Sequence, residues 1–187
     1  MTLVELLRKN NNYSHLSGPG FITDKEYRHK YCSNIYDPLF EPYKDKQIAF
    51  LEIGISKGGS LYMWHDYFTN ASIAGVDKDK LYNHDVMTNY PRIQPCIDNA
   101  YSQEFVDKLP ELDIVVDDGP HTEESWYEFL RLYIPKVKKG GLLVIEDIHL
   151  LEVIPKFKEL VGDLKWACYD LRGQTGCYDN IVFVVWK

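Results

Sequence analysis

Two short stretches concentrate the side chains able to do chemistry. "LDIVVDDGPHTEESW" ends an apolar run on Asp117, Asp118 and His121, and "GGLLVIEDIH" ends another on Glu146, Asp147 and His149. If the two runs are neighbouring strands, at least three carboxylates converge at one sheet edge. Uncompensated, such a cluster repels itself and raises its own pKa values. A divalent cation resolves the conflict, and oxygen ligands of this kind suit magnesium or calcium. The competing reading is that Asp118 and Asp147 each cap a following helix, a common task for Asp. Capping leaves Glu146, beside Asp147 and opposite Asp117 and Asp118, unexplained. His121 lies three residues after Asp118, within reach of the same pocket, and histidine titrates in the range suited to proton removal.

A third stretch, "FLEIGISKGGSLYMWHDYF", places Gly54, Gly58 and Gly59 between a strand and a helix. Backbone without Cβ lets a nucleoside-sized ligand come close. The spacing is neither the dinucleotide G-x-G-x-x-G nor a P-loop. A tight turn that binds nothing is the plain alternative, but this turn falls at the edge where open α/β sheets hold ligands. Asp77 ends the next strand in "IAGVDKD", where a carboxylate can accept from both hydroxyls of a ribose. Glu52, just before Gly54, suits a ligand carrying an ammonium and a sulfonium better than one carrying pyrophosphate. Asp98, after the third strand, is placed for an adenine amine. Acidic residues at three consecutive strand ends favour S-adenosylmethionine. The cofactor-side set is Glu52, Gly54, Ser56, Gly58, Ser60, Asp77, Asp98 and Asp117.

The elements that must position these groups follow from the apolar rhythm. Candidate strands are Ile48–Ile53, Ser72–Val76, Ile93–Ile97, Ile114–Asp117 and Leu142–Glu146, alternating with helical patterns at Ser60–Phe68, Ser102–Leu109 and Glu123–Val137. A helix over Leu151–Leu160 and strands at Trp166–Leu171 and Ile181–Trp186 complete the pattern. Only "RGQTGCYDN", Arg172–Asn180, joins the last two strands, too short for a helical crossover. The expected fold is therefore α/β, a Rossmann-like doubly wound sheet of seven strands, mostly parallel with an antiparallel last strand. Residues 1–46 read as a helical lead-in packed on a main domain at 47–187. Leu3, Leu6 and Leu7 share a helical face, and Thr23 with Glu26 has capping-box spacing. Tyr27, Tyr31, Tyr36 and the Arg172–Asn180 connection are expected at the ligand edge, contacting an acceptor. The basic cluster "KVKKGG", Lys136–Gly141, reads as a helix C-terminus complementing its dipole.

Composition narrows the class. The 187 residues carry 45% hydrophobic residues and a formal net charge of −7, which argues against a broad phosphate-binding surface and a nucleic-acid partner. No apolar run approaches the ~20 residues of a membrane span, and "MTLVELLRKNNNYS" lacks the marks of a signal peptide, so a cytoplasmic setting is expected. Cys32, Cys96, Cys168 and Cys177 are scattered without a CxxC pair and read as reduced thiols. The sequons at Asn12 and Asn70 matter only on a secretory route.

Taken together, "FLEIGISKGGSLYMWHDYF", "DIVVDDGPHTEESWYEFL" and "KKGGLLVIEDIH" resemble class I S-adenosylmethionine-dependent methyltransferases. More narrowly the chain resembles the metal-dependent sugar O-methyltransferases of macrolide biosynthesis, of the macrocin and mycinamicin type. "TDKEYRHKYCSNIYDPLFEPYKDKQIAFLEIG" matches that group's lead-in, and the likeness runs from about Thr23 to His149. The resemblance implies that Asp118, Glu146 and Asp147 bind Mg2+ or a similar divalent ion and that His121 is the general base. It implies that Glu52, Gly54, Asp77 and Asp98 line the S-adenosylmethionine site, and that the acceptor is a sugar or glycan hydroxyl. Departures from the group are Pro120 where Ser is usual, Tyr101 where an acidic residue is expected, and "EDIHLLE" without the usual polar continuation. The large auxiliary domain of the macrolide enzymes is not expected in this chain. Methylation of a catechol-like diol, and a non-catalytic nucleoside-binding or assembly role on the same fold, stay open, as does homo-oligomerisation.

Overall fold

Alternation along the strands dictates two buried faces. In "AFLEI", "LDIVVD" and "GLLVIE", Phe50, Ile114, Val116, Leu142 and Val144 join one core, while Leu51, Ile53, Val115, Leu143 and Ile145 join the other. Both sides of such a sheet must be covered, as period-two apolar runs without a polar face require. A computed structural model describes residues 1–11, 23–82, 87 and 89–187. Asn12 lies outside the described residues.

In chain order the elements are α1 (Leu3–Lys9), α2 (Asp24–Tyr27), a wide helical turn (Cys32–Tyr36), α3 (Asp37–Phe40), β1 (Ala49–Ile53), α4 (Gly59–Tyr67), β2 (Ser72–Asp77) and β3 (Ile93–Ile97). There follow α5 (Gln103–Lys108), β4 (Leu112–Asp117), α6 (Glu123–Tyr133), β5 (Val137–Ile148), α7 (Ile154–Val161), β6 (Lys165–Asp170), α8 (Arg172–Thr175) and β7 (Ile181–Trp186). The strand order is β3-β2-β1-β4-β5-β7-β6. Pairs from β3 to β5 are parallel, and β7 runs antiparallel to both β5 and β6. The expected fold class, including the reversed last strand, is the one observed. The order reverses between β1 and β4, so the crevice at their carboxyl ends is the switch point where such sheets bind ligands.

The lead-in residues and α4 cover one face. Phe40, Phe50, Trp64 and Phe68 form an aromatic cluster there, Phe40 meeting Trp64 edge-on with centroids 5.6 Å apart. Trp64 is fully buried, and its truncation to Ala would cost about 3–5 kcal/mol. On the other face α6 and α7 pack Trp126, Phe129 and Phe157 against the sheet.

Several local expectations are corrected. Thr23 makes no side-chain cap bond to α2; Glu26 instead accepts from the Ser33 amide at 2.9 Å. The helix expected to reach Val137 stops at Tyr133, and "VKKGG" opens β5. Lys138 there pairs with Asp113 at 2.8 Å and serves no helix dipole. The Arg172–Asn180 connection holds one helical turn, α8. All four cysteines are free, and among the described residues no helix is long and apolar enough to cross a membrane.

Candidate active site

The turn after β1 is built by backbone conformation. Gly54 has φ +81°, and a Cβ there would lie 1.8 Å from the Asp118 carbonyl oxygen. Only glycine lets the end of β1 pass so close to the end of β4. Ser56 takes φ +46° and its amide donates to Asp77 Oδ2 at 2.8 Å, while the Asp79 amide donates to Oδ1 at 3.1 Å. The turn is thereby lashed to the end of β2. Above it opens a cavity of about 770 Å³, lined among others by Gly54, Ser56, Ser60, Asp77, Asp98 and Asp118. Thr23, Asp24 and Lys25 of the lead-in also line it.

Three residues of the expected cofactor set stand behind this wall. Glu52 is fully buried; Ser60 Oγ donates to its Oε2 at 2.5 Å, and Lys25 Nζ lies 3.2 Å from Oε1. Gly58 faces Met87, whose Cε lies 2.0 Å from where a Cβ would stand. Asp117 is buried and accepts from the Tyr101 hydroxyl at 2.5 Å.

The acidic half lies at the ends of β4 and β5. Donor atoms of Asp118, His121 and Asp147 all fall within 4.8 Å of one another. His121 Nε2 is 3.7 Å from Asp118 and 3.8 Å from Asp147. His121 (φ +54°) and Asp147 (φ +53°) both hold the left-handed backbone region, which costs a non-glycine residue about 1–3 kcal/mol and persists where surrounding structure enforces it. The break in β5–β7 register between Ile145 and Ile148 is where Asp147 leaves the strand alternation. Neither Asp118 nor Asp147 caps a helix; the cap of α6 is Thr122, whose hydroxyl accepts from the Ser125 amide. Glu146 adjoins the cluster from its buried side: its carboxylate is held by the Tyr36 hydroxyl and by Lys25 Nζ, which also lies 2.8 Å from Asp118.

Burial governs the electrostatics. Burial and the charges of Asp118, Asp147 and Glu52 push Glu146 well above the usual carboxylate range, against the pull of Lys25. Lys25 itself is held well above its ordinary value, because Asp118, Glu146 and Glu52 outweigh the desolvation of its ammonium. Burial lifts Asp117 to about 7, with the Tyr101 hydrogen bond opposing the shift. Burial, then Asp118, raises Asp147, while His29, Tyr31 and His121 oppose. Burial works against the charge of His29, yet Asp24 and Asp147 raise it to about 8.

The supporting shell was not anticipated from sequence. Tyr31 and Tyr36, expected to meet an acceptor, are buried. The Tyr31 hydroxyl donates to Asp147 at 2.6 Å, so both tyrosines serve the carboxylates. Only Tyr27 of that trio is exposed. The β6–β7 connection reaches the site through buried Asn180, whose Oδ1 lies 3.0 Å from His29 Nδ1. Lys25 and Tyr101 carried no local signal. The one available clue was parity: Glu52 and Glu146 share the apolar face of Phe50 and Val144, and a buried carboxylate there requires a partner.

A parallel sheet closed by an antiparallel strand, with a glycine turn and acidic strand ends at its switch point, is the architecture of a nucleoside-cofactor transferase. The chain belongs to the methyltransferase domain family, whose model matches residues 51–148. It is 31% identical over 68% of its length to 8-demethyl-8-alpha-L-rhamnosyl tetracenomycin-C 2'-O-methyltransferase of Streptomyces olivaceus, covering 35% of that protein. It is 32% identical over 72% of its length to mycinamicin VI 2''-O-methyltransferase of Micromonospora griseorubida, again covering 35%. The chain thus spans about a third of the length of these curated relatives. Among solved structures, MycE methyltransferase of the mycinamycin pathway, in complex with Mg, SAH and mycinamycin VI, superposes with a TM-score of 0.68 at 25% identity. That match covers 94% of this chain and 54% of MycE.

Proposed function

We propose that this protein transfers a methyl group from S-adenosylmethionine to a hydroxyl of a sugar or glycan, with a divalent ion at the acceptor side. The observation that carries the reading is the meeting of Asp118, His121 and Asp147 within 4.8 Å, opening on the same cavity as the glycine turn and Asp77. The two carboxylates supply oxygen ligands of the kind a hard cation takes, and the imidazole beside them is left for the proton. Among the described residues, His121 Nδ1 and Asp117 Oδ2 are buried without a hydrogen-bond partner, so the site carries unspent polar capacity. The relatives named for sugar O-methylation, and MycE with Mg and SAH, support the same reading.

A divalent ion at this site would supply Lewis-acid activation of a hydroxyl and chelation of two adjacent ones. Asp118 and Asp147 would hold it, beside Glu146 of the expected trio. His121 Nε2 faces the cavity between those carboxylates, at 3.7 and 3.8 Å, and takes the hydroxyl proton. Ser56 and Asp77 fix the ribose side of the donor, and the Gly54 turn lets the nucleoside lie against backbone. Asp98 stands at the adenine side. Alignment of methyl and oxygen supplies much of the acceleration. Glu52, Gly58 and Asp117 act on the cofactor site from beneath it, and Ser60 lines it.

The test is mass spectrometry of rhamnosylated and other glycosylated small molecules incubated with protein, Mg2+ and methyl-labelled donor. Addition of the labelled methyl to a sugar hydroxyl, lost on chelation, is the expected result. Labelling of catechols with no sugar labelled would replace the acceptor class. Methyl transfer undiminished by chelation would remove the metal.

A further inference from the structure

A second group of donors stands apart from the acidic cluster, where the lead-in meets the β6–β7 connection. Ligand atoms of His29, Cys177 and Asp179 all fall within 4.8 Å of one another, and none of the three residues lines the cavity. His29 is buried, and Cys177 and Asp179 are half-buried. The connection holds its shape through protein contacts alone. Gly176 ends α8 in the left-handed region at φ +75°, and Thr175 Oγ1 accepts from the Cys177 amide at 3.3 Å and from Asn180 Nδ2 at 2.7 Å. Asn180 Nδ2 also donates to the His29 carbonyl at 3.1 Å, which joins the two segments. The donors themselves are lightly used. Cys177 is a free thiol whose Sγ meets the Arg28 carbonyl at 3.8 Å. Asp179 Oδ1 is buried without a hydrogen-bond partner, and Oδ2 has the exposed Arg28 guanidinium at 3.8 Å. His29 Nδ1 lies 3.0 Å from Asn180 Oδ1 and 3.5 Å from Asp147, and its Nε2 has Asp24 at 3.5 Å. A buried carboxylate oxygen with nothing to accept from costs free energy until something pairs with it.

We infer that His29, Cys177 and Asp179 form a second metal site, suited to Zn2+ or another borderline-soft divalent ion, that staples the lead-in to the β6–β7 connection. A thiolate, an imidazole and one carboxylate are donor types that zinc takes, with water in the fourth position of a tetrahedron. Mg2+ selects oxygen ligands, so donor chemistry separates this site from the carboxylates at the ends of β4 and β5. Bonds of about 2.0–2.3 Å require the donor atoms to close to roughly 3.5 Å, a movement within reach of two side chains on a connecting loop. Uptake of the ion releases the thiol proton and any proton on the ligating imidazole nitrogen. Only the folded chain gathers the three donors, so the bound ion stabilises the docked lead-in by mass action. The inference is independent of the methyl-transfer reading and survives its failure.

Co2+ is the probe, because a cobalt–thiolate bond gives a near-ultraviolet charge-transfer band that oxygen and nitrogen ligands do not. Reduced wild-type protein titrated with Co2+ in excess Mg2+ should develop that band to saturation, and Zn2+ should bleach it. Cys177→Ser should abolish the band, and Cys168→Ser should leave it. Asp179→Asn should weaken Co2+ binding at least about tenfold, the loss that removal of even an outer partner causes. In thermal melts, Zn2+ at about a hundred times its Kd should raise the wild-type Tm by about 5–10 °C, and that of Cys177→Ser by far less. No thiolate band in wild-type protein, a band retained in Cys177→Ser or lost in Cys168→Ser, or its bleaching by Mg2+ would overturn the inference. Should Cys177→Ser fail to fold, anomalous diffraction at the zinc edge from wild-type crystals decides: zinc on His29, Cys177 and Asp179 upholds the site, and zinc absent from them overturns it.

Discussion

The two halves of the cavity are made by different means. At the ends of β2 and β3, carboxylates are met by backbone: Asp77 accepts from the amides of Ser56 and Asp79, and Asp98 accepts from that of Asn99. At the ends of β4 and β5, carboxylates are met by side chains drawn from far along the chain. Lys25 reaches Asp118 across 93 residues and Glu146 across 121, and Tyr31 reaches Asp147 across 116. The first half is a rigid cradle of local turns. The second is a buried, charge-dense cluster whose order depends on the docked lead-in. A cradle of this kind binds a donor of fixed shape. A cluster of this kind concentrates negative potential where a cation and a proton acceptor are required.

If the halves are separable, variants in one should spare the other. The largest effect is expected from Asp147→Asn, which should lower methyl transfer roughly 10³-fold, the several kcal/mol that Lewis-acid activation supplies, while calorimetry finds donor affinity unchanged. Next, Asp77→Ala should weaken S-adenosylmethionine binding about 10- to 100-fold, as loss of charge-assisted hydrogen bonds implies, with Mn2+ affinity unaltered. An Asp77 variant that loses the metal would show the halves to be coupled.

A third, smaller effect is a pH signature of the buried half. Asp117 has a folded value of about 7 against an ordinary 3.8. Between those values the folded state binds the proton and the unfolded chain does not. The stabilisation is therefore complete below about pH 4 and is lost as pH rises through about 7. Asp117→Asn should flatten that descent in melting temperature measured across the interval, and an unchanged pH profile would place the proton elsewhere. The smallest effect is expected from Asp98→Asn. Asp98 keeps 40% of its side chain exposed, and a hydrogen bond made in water contributes about 1 kcal/mol or less. Donor affinity should fall only a few-fold in the same calorimetric titration.

The same division explains what could be read from the chain. β1, β2, β3 and the reversed β7 were legible because alternation and loop length are local properties. So were Gly54 and Asp77, since a glycine at a strand end and an acidic residue at the next have few other reasons to coincide. The boundary of α6 was misplaced because the polar "KKGG" after Val137 does not read as a strand, yet it opens β5, with Val137 pairing opposite Leu112 of β4. The acidic residues of the second half were legible as a cluster, and their division of labour was not. Sequence order sets Glu146 beside Asp147. Glu146 meets Lys25 and Tyr36, whereas Asp147 meets Tyr31 and His121, and three of those four partners come from the lead-in. Tyr36 looked like an acceptor contact because an aromatic near a ligand edge is a common contact, whereas burial makes it a hydrogen-bond donor to Glu146.

The central claim is a donor cradle that works without metal beside an acceptor site that does not. Its most direct test is a paired measurement on wild-type protein in buffer with Mg2+ and in buffer with a chelator. Donor affinity is read by calorimetry and methyl transfer to a glycosylated acceptor by isotope label. The account predicts equal donor affinity in the two buffers, with transfer abolished by the chelator. Transfer that persists in chelator, or a donor that binds only when Mg2+ is present, would contradict it.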